Sequence, residues 1–241
     1  MNETTTAPTR GALGAAIAGG VIGSAVTAVL LLFAVPNAVS GRIVRHGLMA
    51  DPAILTDTVD ALHDAQYAPT LDANRAALET PFASSWKGSS KPDVTLVEFF
   101  DYACPYCKTS NPFVDRLAKE DRGLRVVYRE LPILGPDSVA AARLSLTASK
   151  LGRFNQYHDA LWAAGKPSAA TITAAAQAAG LPAAVASDAQ VEAELKQNFQ
   201  LAGKLGATGT PLFIVGNKVL NGAVGYDALK AAIADARKAR R

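Results

Sequence analysis

Residues 94–108 read Val94-Thr95-Leu96-Val97-Glu98-Phe99-Phe100-Asp101-Tyr102-Ala103-Cys104-Pro105-Tyr106-Cys107-Lys108, and they hold both cysteines of the 241-residue chain. The first seven form a β-branched and aromatic run with the length of a buried central strand. The cysteines follow within four residues of it. From Lys108 to Lys119 the chain continues as a helix, with a kink expected at Pro112, where proline removes a backbone donor. Leu124 to Leu131 then reads as a second strand. The unit is strand, Cys-x-x-Cys, helix, strand, a pattern in which paired thiols do redox work.

The chemistry explains the spacing. Two cysteines at i and i+3 in a first helical turn can close a small disulfide, and the first faces the free N–H groups of the helix N-terminus. Those groups stabilise a thiolate, so Cys104 is the candidate attacking or leaving sulfur. Cys107, one turn deeper, is the candidate resolving thiol. Pro105 is tolerated between them because first-turn donors have no helical partner. A zinc site would need two further soft ligands, but there is no third cysteine and His46, His63 and His158 show no paired spacing. An inert structural disulfide is the competing reading, yet so short a loop gives little entropic stabilisation.

A second constellation lies at Thr208-Gly209-Thr210-Pro211-Leu212-Phe213-Ile214-Val215-Gly216-Asn217-Lys218-Val219-Leu220-Asn221-Gly222, which reads as loop, strand, Gly-Asn turn and strand. A helix from Tyr226 to Arg237 closes the chain. With these residues the sequence resembles the thioredoxin superfamily, and more closely the DsbA-like thiol–disulfide oxidoreductases. The resemblance implies that Cys104 is the nucleophile, Cys107 the resolving cysteine, and Thr210 and Pro211 a cis-proline pair that holds an extended substrate strand. Pro105 and Tyr106 would line the same substrate site. It also implies no cofactor beyond the redox-active disulfide Cys104–Cys107.

Glu98 is a carboxylate within an apolar strand, costly unless neutral or paired, and a raised pKa would suit a proton acceptor for the Cys107 thiol. Its place six residues before Cys104 is similar to that of a buried acid in DsbA-like proteins. The competing reading is a glutamate at a strand edge facing water. His158 reads as a helix-packing residue.

Further from the motif, 49% apolar content and 19% charge suit a folded domain with an appendage. No basic stripe is interleaved with aromatics, so the net charge of +3 does not point to nucleic acid. Residues 11–41 carry no charge. The run 11–35 is long enough for a membrane anchor, and Ala38-Val39-Ser40 would also serve a cleaved signal peptide. Met49 to Tyr67 reads as an amphipathic helix with Asp51 as N-cap, Pro52 in the first turn and an apolar stripe of Ile54, Leu55, Val59 and Leu62. Ser84 to Pro92 reads as a linker. The Ala-rich stretch at about 137–206 shows helical spacing in Val139–Leu151, Phe154–Trp162 and Val191–Leu205, an inserted helical subdomain. Leu48 to Leu55 and Asn74 to Leu78 resemble the helical extension of ScsC-like members, which implies self-association through residues 48–80.

The expected fold is therefore α/β: a thioredoxin fold at 92–241 with a helical insertion, preceded by a helical extension and linker at 42–91 and a transmembrane or signal segment at 1–41. The expected function is disulfide exchange with cell-envelope proteins by a periplasmic domain tethered to the inner membrane, or soluble after signal cleavage. A membrane redox partner would recharge the site. A reductase, an isomerase and a chaperone-like binding module with a dispensable disulfide share these motifs.

Overall fold

A computed structural model of the chain describes residues 41, 43–182 and 188–239. By contacts the chain separates into two compact units, Met1–Asp60 and Ala61–Arg241. In the first, residues 43–50 are helical (α1). The expected membrane segment at 11–35 lies outside the described residues, and among the described ones no helix is long and apolar enough to cross a membrane.

The second unit is built on a five-stranded sheet of β1 (Trp86–Gly88), β2 (Val94–Phe100), β3 (Leu124–Glu130), β4 (Leu212–Val215) and β5 (Lys218–Asn221). Their spatial order is β1-β3-β2-β4-β5. β2 and β3 run parallel, joined over the sheet by α3 (Pro105–Glu120), while every other pair is antiparallel. All seven residues of β2 are buried, as an apolar run flanked by strands on both sides requires. The β4–β5 turn needs Gly216: its φ is +59°, and a Cβ there would stand 2.9 Å from the Ala236 Cβ.

Alternation along the strands divides the core. Leu96, Phe100, Val126, Tyr128, Phe213 and Val215 face one side, against Val114 and Leu117 of α3, Phe154 and Leu161 of α5 (Phe154–Ala164) and Leu229 and Ile233 of α8 (Tyr226–Ala239). Val97, Phe99, Val127, Leu212 and Ile214 face the other, against Leu71 and Leu78 of α2 (Ala53–Glu79) and Leu201 of α7 (Ala189–Lys204). Between β3 and β4 the chain forms α4 (Pro136–Lys150), α5, α6 (Ala169–Ala178) and α7, a helical insertion. A capping box between Ser168 and Thr171 starts α6, and the Asp188 carboxylate accepts from the backbone N–H groups of Gln190 and Val191 at the start of α7.

Two expectations need correction. The stretch read as a linker carries β1, whose three residues pair with Val127, Val126 and Arg125 of β3. The helix expected to stop at Tyr67 continues through Pro69 to Glu79. Its stripe of Ile54, Leu55, Val59 and Leu62 is exposed, and the residues that do pack are Leu71 and Leu78. Asp51 does accept a hydrogen bond, from the backbone N–H of Ala53. The C-terminal end of α2 is fastened from below by Arg129 of β3, whose buried guanidinium donates to the carbonyls of Ala77, Leu78 and Thr80. The same guanidinium donates to Glu194 and Asn198 of α7.

Candidate active site

The site forms where β2 ends and α3 begins. Cys104 is the N-cap of α3, with extended backbone (φ −79°, ψ 120°) and no side chain capping the helix. Its N–H donates to the Asp101 carbonyl, which closes the turn. Pro105 follows in the first helical turn, where its fixed φ suits the helix and its missing donor costs nothing. Pro112 is also accommodated, since α3 runs unbroken to Glu120.

Cys107, Ser110, Val114 and Leu117 recur at three- and four-residue spacing and face the sheet, so Cys107 is wholly buried. Pro105 and Tyr106 point outward, Tyr106 being 64% exposed. Both cysteines are free thiols. The Cys104 thiol donates to the carbonyl oxygen of Thr210 at 3.2 Å, which brings the two sequence motifs together at one point. The Thr210–Pro211 peptide bond is cis. Pro211 is buried, and its carbonyl accepts from the Gly222 N–H across the hairpin.

Glu98 is buried on β2, on the face that meets α3, and not at a water-facing strand edge. Burial, with a further push from the charge of Asp115, raises its pKa to about 8, while Lys87 pulls it down. Its Oε2 has no hydrogen-bond partner among the described residues. Burial also pushes the Cys107 thiol far up, and the negative charge of Glu98 adds to that push. The charge of Glu98 thus opposes ionisation of the Cys107 thiol.

Several residues around the thiols gave no sequence signal for their role. Asp101 is buried and holds two loops at once: one oxygen accepts from the Ala103 N–H, the other from the N–H groups of Ile133 and Leu134. Behind it, Tyr102 bonds Ser145 and His158, each at 3.0 Å. Ser145 donates to Glu130, whose carboxyl burial raises to about 8. His158 Nε2 accepts from the Trp162 N–H at 3.0 Å and stands 3.1 Å from Asn111 Oδ1, so the imidazole is held between α5, α3 and Tyr102. Burial keeps His158 neutral, in keeping with a packing residue. Among the described residues no group of three or more His, Cys, Asp or Glu side chains is placed to hold a metal ion.

Comparison with known proteins places this arrangement. A family profile described as DSBA-like thioredoxin domain matches residues 95–234. A periplasmic thioredoxin-like protein from Salmonella enterica serovar Typhimurium is 34% identical, the match covering 68% of this chain and 95% of that one with a TM-score of 0.64. A thioredoxin-like oxidoreductase from Silicibacter pomeroyi DSS-3 is 38% identical over 68% of this chain and 98% of that one, with a TM-score of 0.63. The catalytic domain of Proteus mirabilis ScsC is 27% identical over 71% of this chain and 99% of that one, with a TM-score of 0.67. The Na(+)/H(+) antiporter NhaA 1 of Salinispora arenicola (strain CNS-205) is 29% identical over 157 residues, 62% of this chain and 24% of that protein. The chain spans about a quarter of the length of the curated relatives it matches. With the sheet order above, these likenesses make the fold thioredoxin-like α/β.

Proposed function

The chain belongs to the DSBA-like thioredoxin domain family, and from that premise we propose that it exchanges disulfides with other proteins through Cys104 and Cys107. The observation that carries the reading is the Cys104 thiol, at the N-terminus of α3 and bonded to the Thr210 carbonyl. In the oxidising direction a client thiolate attacks the Cys104–Cys107 disulfide at Cys104, and the Cys107 thiolate leaves. A second client thiolate then attacks the client sulfur of the mixed disulfide; the client gains the disulfide and Cys104 leaves as thiolate. In the reducing direction Cys104 attacks a client disulfide and Cys107 displaces the client. Thr210 and Pro211 would hold the client strand, with Pro105 and Tyr106 at its edge, and Glu98 would exchange a proton with Cys107.

Likeness to a periplasmic thioredoxin-like protein supports a cell-envelope location, with 11–35 as the anchor or signal and a membrane protein as the partner that recharges the thiols. The exposed stripe of Ile54, Leu55, Val59 and Leu62 supports self-association through 48–80, which a monomer mass in light scattering would dispose of.

The test is the reduction potential of the pair, read on the full chain in glutathione buffers by alkylating free thiols. A value above roughly −200 mV marks an oxidant or isomerase and one near roughly −270 mV a reductase. A pair that never titrates across that range leaves the chaperone-like module.

A further inference from the structure

The proton that Glu98 exchanges has to reach solvent, and the thiol end of α3 is where a client would sit. On the same side of the sheet, away from the thiols, lies a cleft of about 250 Å³ lined by Lys87 of β1, Asp115 of α3 and Asp159 of α5, among others. Lys87 is in register with Val126, and Val126 with Leu96, so its side chain leaves the sheet on the face that carries Glu98 and Tyr128. Its ammonium group stands 5.9 Å from the centroid of the Tyr128 ring, and Tyr128 is the β3 partner of Glu98.

The ammonium donates to Asp115 at 2.6 Å and to Asp159 at 2.7 Å. The three side chains are 14%, 23% and 60% exposed, a graded path from the interior to water. On the same face of the sheet two buried oxygens, Glu98 Oε2 and Tyr128 Oη, have no hydrogen-bond partner among the described residues. A buried polar atom without a protein partner calls for an explanation, and exchange of a proton is one. Asp115 lies eight residues beyond Cys107 on α3, about 12 Å along the helix, so the cleft stays open while a client covers Cys104.

We propose that Lys87, Asp115 and Asp159 form the port through which the buried Glu98 carboxyl exchanges its proton with solvent, Lys87 being the positioning residue. The proposal deepens the disulfide-exchange reading and rests on it. In the resolving step the Cys107 thiol gives its proton to the Glu98 carboxylate, and the Cys107 thiolate attacks Cys104 in the mixed disulfide. The Cys104–client bond breaks, and the client leaves as thiolate. Cys107 is oxidised and the client sulfur reduced, Cys104 staying at the disulfide level, while the proton on Glu98 departs through the port.

Around Glu98 the ionisable groups are Lys87 on β1, Cys107 and Asp115 on α3, Tyr128 on β3, and His158 and Asp159 on α5, with apolar Phe213 facing it from β4. His158 is neutral and Tyr128 keeps its proton, so the two charges acting on Glu98 are opposed: Lys87 favours the carboxylate and Asp115 disfavours it.

The test is an infrared pH titration of the Glu98 carboxyl band in the reduced full chain, the band being assigned by its loss in Glu98→Gln. Lys87→Met moves the midpoint up by about one pH unit, Asp115→Asn moves it down, and Lys87→Arg restores it. The pH profile of the resolving rate moves with the midpoint in each variant. Opposite signs separate a charge effect from a disturbed fold. Midpoints that stay put, or move the same way in Lys87→Met and Asp115→Asn, overturn the proposal, as does a rate profile that fails to follow them. Absence of exchange in the wild-type chain counts against the oxidoreductase reading alone, because the band reports the coupling without turnover.

Discussion

The thiol of Cys104 donates a hydrogen bond to the carbonyl oxygen of Thr210, 106 residues later in the chain. Replacing Cys104 with Ser keeps a donor at this position and removes the redox sulfur, so a dithiol–disulfide assay should fall to background. Cys107→Ser should instead let Cys104 attack and then stall, leaving a mixed disulfide with the client that mass spectrometry detects and reductant releases. Turnover surviving in Cys104→Ser would sink the proposed exchange.

Glu98 and Glu130 both have carboxyls raised from an ordinary value of 4.5 to about 8. Between those pH values the folded chain keeps protons that the unfolded chain has lost, so stability falls as pH rises, by at most about 1.4 kcal/mol per unit for each group. Below 4.5 the full contribution is present, and above about 8 it is gone. Glu98→Gln removes its share of the slope. Its melting temperature should exceed the wild-type value at pH 8 and converge with it at pH 5; parallel curves would contradict the assignment.

Removing the Arg129 side chain strands several partners at once. With Arg129→Met, Glu194 and Asn198 lose their cation and the carbonyls of Ala77, Leu78 and Thr80 lose their donor. A loss of about 3–5 kcal/mol is expected in denaturant unfolding. Faster hydrogen exchange should begin in the last turn of α2.

Two substitutions on α2 separate its halves. Leu71 is wholly buried, so Leu71→Ala should cost about 2–5 kcal/mol. Val59 is exposed, and Val59→Ala should stay within about 0.5 kcal/mol in dilute solution. A cost for Val59→Ala that grows with protein concentration would show the stripe to be covered by another copy.

The strand–helix–strand unit around the cysteines was legible because its signals are local: an apolar run, two thiols one turn apart, a helix and a second run all lie within 94–131. The Thr210-Pro211 hairpin was legible for the same reason. β1 was not, since Trp86-Lys87-Gly88 is a three-residue segment among Ser, Gly and Pro whose strand conformation comes from pairing with β3. The course of α2 past Pro69 was hidden because a proline disfavours helix in the residue before it, and the buried Leu71 and Leu78 outweigh that local preference. α6 was missed because Ala169 to Ala178 is so rich in alanine that no apolar face stands out. Within the site, the position of Glu98 could be read but its neighbours could not: Lys87 reaches that face from a strand the sequence concealed, and Asp115 sits on a helix turn that looks solvated. Asp101 carries an ordinary acidic residue's signature, and only the return of the chain at Ile133 and Leu134 reveals what it holds.

That carboxylate has a mechanical consequence. Ile133 and Leu134 are exposed apolar tips, and Asp101 fastens their backbone to the turn that carries Cys104. Three hydrogen bonds to one carboxylate therefore tie the tips to the turn that carries the sulfur. Loosening that carboxylate would free the tips and the thiol turn from each other, two surfaces that the chain carries 30 residues apart.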